Sequence, residues 1–135
     1  MKKAAKKSML VSILAAVALT AAIPVSAAEV ADPSAEVVAF IGTSQQSSSY
    51  IVGKAYALSN NSNFKSINVS GVFSVAGVQK ESGTATSTTK GAEAAWYTKD
   101  STYSSKVTAK LTSASRTYYK DGTQSAQSYA TPATW

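Results

Sequence analysis

The stretch FKSINVSGVFSVAGVQ, residues 64–79, decides the fold class. Ile67, Val69, Phe73 and Val75 occupy odd positions, while Ser66, Asn68, Ser70 and Ser74 occupy even ones. A period of two is what a strand needs when one face is buried and the other is wet. Gly71 and Gly77 fall on the apolar parity, where they mark a bulge or a close approach by an aromatic ring.

The same pattern continues on both sides. Upstream, YIVGKAYAL (50–58) is β-rich, with Tyr50, Val52, Tyr56 and Leu58 on one parity, and SNNSN (59–63) ends it with turn chemistry. EVVAFI (36–41) reads as the first strand, followed by a polar loop over 42–49. Downstream, GTATSTT (83–89) is a strand so poor in apolar residues that it belongs at a sheet edge. In GAEAAWYT (91–98), Ala and Glu favour helix, but Trp96 and Tyr97 tip the reading to strand.

Residues 103–120 carry the longest pattern. Tyr103, Val107, Ala109, Leu111 and Tyr119 share one parity; Lys106, Lys110, Arg116, Tyr118 and Lys120 share the other. Asp121-Gly122 then predicts a two-residue type I′ hairpin loop that pairs Lys120 with Thr123, Tyr118 with Ser125 and Arg116 with Gln127. Tyr129 closes the last strand, and Pro132 predicts that the tail leaves the sheet. Six to eight short strands separated by turns predict an all-β domain: a small antiparallel β-sandwich, with a small β-barrel as the alternative.

The beginning of the chain reads differently. MKKAAKKSMLVSILAAVALTAAIPVSAA (1–28) has four lysines, an apolar run, a helix-breaking Pro24 and then small residues. This is the grammar of a secretory signal peptide, with Val25 and Ala27 at the cleavage positions for a cut after Ala27, or a cut one residue later after Ala28. The apolar run is shorter than the roughly 20 residues a membrane span needs. The expected organisation is a signal peptide over 1–27, a flexible arm over 28–35, a single β domain over 36–131 and a C-terminal tail over 132–135. The expected destination is outside the cell, secreted or associated with a bacterial envelope.

Subtracting the leader changes the charge argument. Four of the thirteen basic residues are leader lysines, whereas all seven acidic residues lie beyond it. Nine basic against seven acidic residues remain, a net charge of +2 rather than +6. That is too little for nucleic acid, which demands a concentrated basic face. With no Cys, the domain has no disulfide framework and no acceptor for a lipoprotein lipid; packing and β hydrogen bonding must hold it.

With no His and no Cys, the common general base, the thiol nucleophile and most transition-metal sites are unavailable. Two S-x-x-K matches, Ser62 to Lys65 and Ser87 to Lys90, are what a Ser-rich chain produces by accident, and the companion elements of serine–lysine enzymes are missing. Glu81, Glu93, Asp100 and Asp121 are not brought together by spacing as a glycosidase pair. Asn60, Asn61 and Asn63 cluster without an acid, which favours a turn over a calcium loop. No catalytic residue, metal or cofactor is expected.

What remains is a surface. Lys106, Lys110, Arg116, Tyr118 and Lys120 form a candidate binding row for an anionic cell-wall polymer, a glycan or a membrane surface, against the plainer reading of charges that keep an edge strand soluble. The seven tyrosines, with Trp96 and Trp135, could instead make a sugar-stacking platform or simply pack between strands. The leading expectation is a non-enzymatic exported binding module. The alternatives are a bacteriocin-like antagonistic protein and a self-assembling matrix component built by homo-association of strand edges.

Overall fold

The structure, a computed structural model, describes residues 28–135; the signal-peptide reading, with Val25 and Ala27, lies outside the described residues. Eleven strands and no helix are found there. They are β1 (Glu29–Val30), β2 (Glu36–Thr43), β3 (Tyr50–Leu58), β4 (Phe64–Val75), β5 (Val78–Ser87), β6 (Ala94–Tyr97), β7 (Tyr103–Ser104), β8 (Ala109–Tyr119), β9 (Gln124–Ser125), β10 (Ser128–Tyr129) and β11 (Ala133–Thr134). A seven-stranded sheet runs β1-β9-β8-β4-β5, with β10 and β11 also on β8, and a four-stranded sheet runs β2-β3-β6, with β7 on β3. Neither sheet closes, so the barrel alternative is not formed. All pairs are antiparallel except β1 with β9, which is parallel.

One core serves both sheets. β4 and β8 of the larger sheet send in Ile67, Val69, Phe73, Ala109 and Leu111; β2 and β3 of the smaller send in Ile41, Ile51, Ala55 and Ala57. The large side chains thus sit mainly on one sheet and the small ones on the other. Phe73 and Leu111 press on Gly53, where a Cβ would stand 3.2 and 3.3 Å from them. Trp96 of β6 reaches back the other way, across Gly71 and Gly83, which are register partners on β4 and β5. A Cβ on Gly83 would lie 2.1 Å from the indole Nε1. The expected close approach by an aromatic ring therefore occurs at Gly71.

Gly77 has another role. The residues read as one strand over 64–79 turn at Ala76-Gly77, with φ of 51° and 80°, so that Val75 pairs with Val78. Two successive positive φ values make a type I′ turn, whose twist suits the strands it joins. β5 then returns as the sheet edge anticipated for 83–89. Its exposed flank is blunted by a bulge that leaves Lys80 unpaired and by the inward-facing Glu81, both devices that discourage edge-to-edge pairing.

The pattern over 103–120 is not one strand. β7 pairs with β3 in the smaller sheet and β8 with β4 in the larger, and the chain crosses between them through a turn at 104–107. Lys106 N–H donates to Ser104 Oγ at 3.1 Å and Val107 N–H to the Ser104 carbonyl at 3.3 Å. Serine's ability to hold such a turn, not any break in parity, ends the strand.

The Asp121-Gly122 hairpin is present with a loop one residue longer than expected. Tyr118 pairs with Gln124 rather than Ser125; Tyr119 N–H bonds to the Thr123 carbonyl at 3.0 Å, and Gly122 N–H to the Tyr119 carbonyl at 3.1 Å. Thr123 donates to Asp121 Oδ1 from both N–H (3.0 Å) and hydroxyl (2.6 Å). That local turn leaves only Gly122 at positive φ (88°), as in a three-residue loop with a left-handed last residue.

Both ends of the described chain are built into the larger sheet. In the segment expected to be a flexible arm, Glu29 and Val30 pair with Gln124 and Ser125, and the Ala28 carbonyl accepts from Gln124 N–H at 3.0 Å. The tail expected to leave the sheet returns after Pro132. Ala133 and Thr134 pair with Leu111 and Lys110, and Trp135 exchanges backbone bonds with Ala109. Pro132 lies between β10 and β11, where its missing N–H costs no ladder bond.

Candidate functional site

The basic row is divided: Lys110, Arg116 and Tyr118 share the outer face of β8, Lys120 lies just past its end, and Lys106 lies outside the strand. Lys110 and Arg116 lie on the outer face of β8, six residues and about 20 Å apart by strand rise. β8 is interior to its sheet, so they are not edge guards. Arg116 Nη2 stands 3.6 Å from Glu29 Oε2, and its buried Nε has no partner among the described residues. It is thereby committed to holding β1. Tyr118 is half-buried, and burial raises its phenol pKa. Lys120 belongs to the hairpin loop, where its N–H bonds to the Asn63 carbonyl at 2.8 Å. Lys106 is in the crossover turn, away from the other four.

The seven tyrosines, Trp96 and Phe40 sort into three groups. Trp96, Tyr103 and Tyr119 pack inward, Tyr118 and Tyr129 lie on the larger sheet, and Tyr50, Tyr56 and Tyr97 share the outer face of the smaller sheet with Phe40. The last group makes a platform. Phe40, Lys54 and Tyr97 are register partners across β2, β3 and β6, so Phe40 and Tyr97 flank the lysine about 10 Å apart, two strand spacings. Each is 55% exposed. The Phe40 ring reaches over Gly42, where a Cβ would come within 2.7 Å of Cε2 and 2.9 Å of Cζ.

Lys54 is held in place between the rings. Its ammonium lies 2.8 Å from Glu93 Oε1, 4.4 Å from the centre of the Tyr56 ring and 5.7 Å from that of Tyr97. The hydrogen bond to Glu93 raises its pKa, and burial opposes this only in part, so the cation is firmly charged. The face therefore alternates apolar ring surfaces with a fixed polar pair on a rigid sheet.

At the other end of β3, the same face opens into a cleft of about 400 Å³ lined by Ser48, Ser49, Tyr50, Ser104, Ser105 and Lys106. Tyr50 and Ser104 are register partners, and Tyr50 shares the outer parity of Lys54. Lys106, the outlier of the basic row, thus faces a cleft adjoining the aromatic platform.

Other sequence candidates have local work. Glu81 accepts from the Tyr103 hydroxyl and from Lys99 N–H. Asp121 shapes its hairpin, Glu93 pairs with Lys54, and Ser87 Oγ bonds within its turn to the Thr89 carbonyl. Asn61 Oδ1 accepts from Asn63 N–H, the turn role expected of that cluster. Among the described residues, no group of three or more Asp or Glu side chains is placed to hold a metal.

Phe40 and Lys54 were not among the sequence candidates. The parity of 50–58 was readable, but its bulky members suggest an inward face. They point outward because the larger sheet fills the core against Gly53, Ala55 and Ala57. Compared with family models, with curated proteins and with solved structures, the chain shows no significant match to any of them.

Proposed function

We propose that this chain is an exported, non-enzymatic β-sandwich module that binds glycan at or near the bacterial cell envelope, with the outer face of the smaller sheet as its contact surface. The observation that carries the reading is the row Phe40–Lys54–Tyr97: two rings more than half exposed, flanking a lysine already fixed by Glu93. Sugars present apolar C–H faces bordered by hydroxyls. Rings stack on the former, and an ordered cation and carboxylate hydrogen-bond the latter.

Co-sedimentation of the purified protein with insoluble cell-wall glycan tests this. Phe40→Ala and Tyr97→Ala remove exposed rings without touching the core, and each should weaken binding about tenfold. Both variants pelleting like the parent protein would remove this face from consideration.

A further inference from the structure

Resting on that reading, we infer that the glycan held on the smaller sheet is an acidic one, and that its carboxylate or phosphate ester seats in the cleft containing Lys106.

The lining of the cleft is suited to an anion. It holds one lysine, four serines and a tyrosine, and no carboxylate. Lys106 takes part in neither of the ion pairs found among the described residues. The hydroxyls of Ser48, Ser49 and Ser105 and the Tyr50 phenol donate to no other described residue, which leaves four O–H groups available beside the ammonium. Three backbone amides of the walls are already engaged: Ser49 N–H with Ser47 Oγ, Tyr50 N–H with the Ser47 carbonyl, and Lys106 N–H with Ser104 Oγ. Selection in this cleft therefore rests mainly on side-chain donors, and hydrogen bonds to an ionised acceptor are the stronger kind.

The walls are also pre-set. Ser105 N–H bonds across the cleft to the Ser49 carbonyl at 2.8 Å, tying the 47–49 loop to the 104–106 turn. Trp135 Nε1 braces the turn from behind through the Ser105 carbonyl at 2.9 Å. Tyr50 Cα lies four residues along the strand from Lys54, about 13 Å. A chain stacked on the Phe40 ring, which leans over Gly42 toward the Tyr50 end of the sheet, and continued along β3 would bring an acid group to Lys106. A cleft of about 400 Å³ is within the range that takes a small polar group with its neighbouring sugar.

Titration calorimetry with three tetrasaccharides of one backbone separates the possibilities: cellotetraose, its C6-oxidised tetrauronate and its 6-phosphate ester. The parent protein should bind one or both acidic ligands about fivefold to tenfold more tightly than cellotetraose at low salt, with the preference shrinking as salt rises. Which acidic ligand gains distinguishes carboxylate from phosphate. Lys106→Gln should bring the acidic ligands down to the neutral one's affinity and leave cellotetraose unchanged. Lys110→Gln, which removes the same charge from the larger sheet's outer face, should leave all three unchanged. Equal affinity for acidic and neutral ligands in the parent protein, or an acidic preference that survives Lys106→Gln, overturns the inference while the platform stands. Binding of none of the three overturns both readings.

Discussion

Ala76 is one of two non-glycine residues at positive φ among the described residues, the other being Ser101. Ala76 adopts φ of 51° as the first central residue of the turn joining β4 to β5, with Gly77 at 80° beside it. Glycine enters that region freely, and asparagine does so far more readily than alanine, because an L-residue's Cβ crowds the following carbonyl there. Ala76 is exposed, so a polar replacement meets no packing objection. Ala76→Asn would create the Asn-Gly pair that type I′ turns favour, and should stabilise the protein by about 0.5–1 kcal/mol. For a domain of this size that raises the melting temperature by about 3–6 °C, measurable by circular dichroism. A variant that melts at or below the parent would show that the strain is not there. The same alanine explains why the turn was invisible in the sequence: Ala-Gly between two apolar strands carries none of the side-chain chemistry that marks Asp121-Gly122.

At the scale of strands, the two sheets are registered by Trp96 lying over a pair of glycines. Gly71 and Gly83 face each other across β4 and β5, and the indole fills the space their missing side chains leave. Gly83→Ala would place a methyl group 2.1 Å from Nε1 and force the ring or the strand to move. Overpacking of this kind costs about 1–3 kcal/mol. It should also red-shift Trp96 emission, read in a Trp135→Phe background, as the ring is displaced toward solvent. Unchanged stability and emission in that variant would mean that the two glycines do not set the sheet spacing. Strand existence was largely legible: β2, β3, β4 and β6 lie close to where residue parity and Val, Ile, Tyr and Phe put them, β5 begins five residues before the strand read at 83–89, and the alternation over 64–75 predicted the buried Ile67, Val69 and Phe73. Partner and face were not. Parity separates two faces but does not say which is inner, and 50–58 turned its larger side chains outward because the opposing sheet supplied the bulk. Nor does parity reveal a change of sheet, which is why Lys106 looked continuous with Lys110 and Arg116 when a serine turn had carried it to the other sheet's cleft.

For the whole molecule, which has no disulfide, two phenol–carboxylate contacts link segments distant in sequence and tie its stability to pH at both ends of the scale. Asp32, near the start of the described chain, accepts at Oδ2 from the Tyr119 hydroxyl (2.6 Å) at the end of β8 and from Ser59 Oγ (2.7 Å) after β3, and at Oδ1 from Ser34. Burial pushes the Asp32 pKa up, but these hydrogen bonds outweigh it and hold the carboxyl below its usual value of 3.8. A carboxyl whose pKa is lower in the folded state contributes stability that is present above the unfolded value and is lost as pH falls through the folded one. The phenols act at the other end. Burial, and then the bond to Glu81, pushes Tyr103 up to about 12, and burial with the bond to Asp32 raises Tyr119 as well. Their contribution is complete below the usual phenol value of 10 and is lost as pH rises through the raised values, because ionisation would set a phenolate against a carboxylate. Stability should therefore stay level between about pH 4 and pH 10 and fall on both sides. Asp32→Asn removes the charged acceptor that joins the N-terminal segment to β3 and β8. It should lower stability at neutral pH by about 1–3 kcal/mol and flatten the acid limb, leaving the alkaline loss from Tyr103 in place. Urea unfolding followed across pH measures both limbs; an acid limb as steep in Asp32→Asn as in the parent would mean that another carboxylate governs acid unfolding.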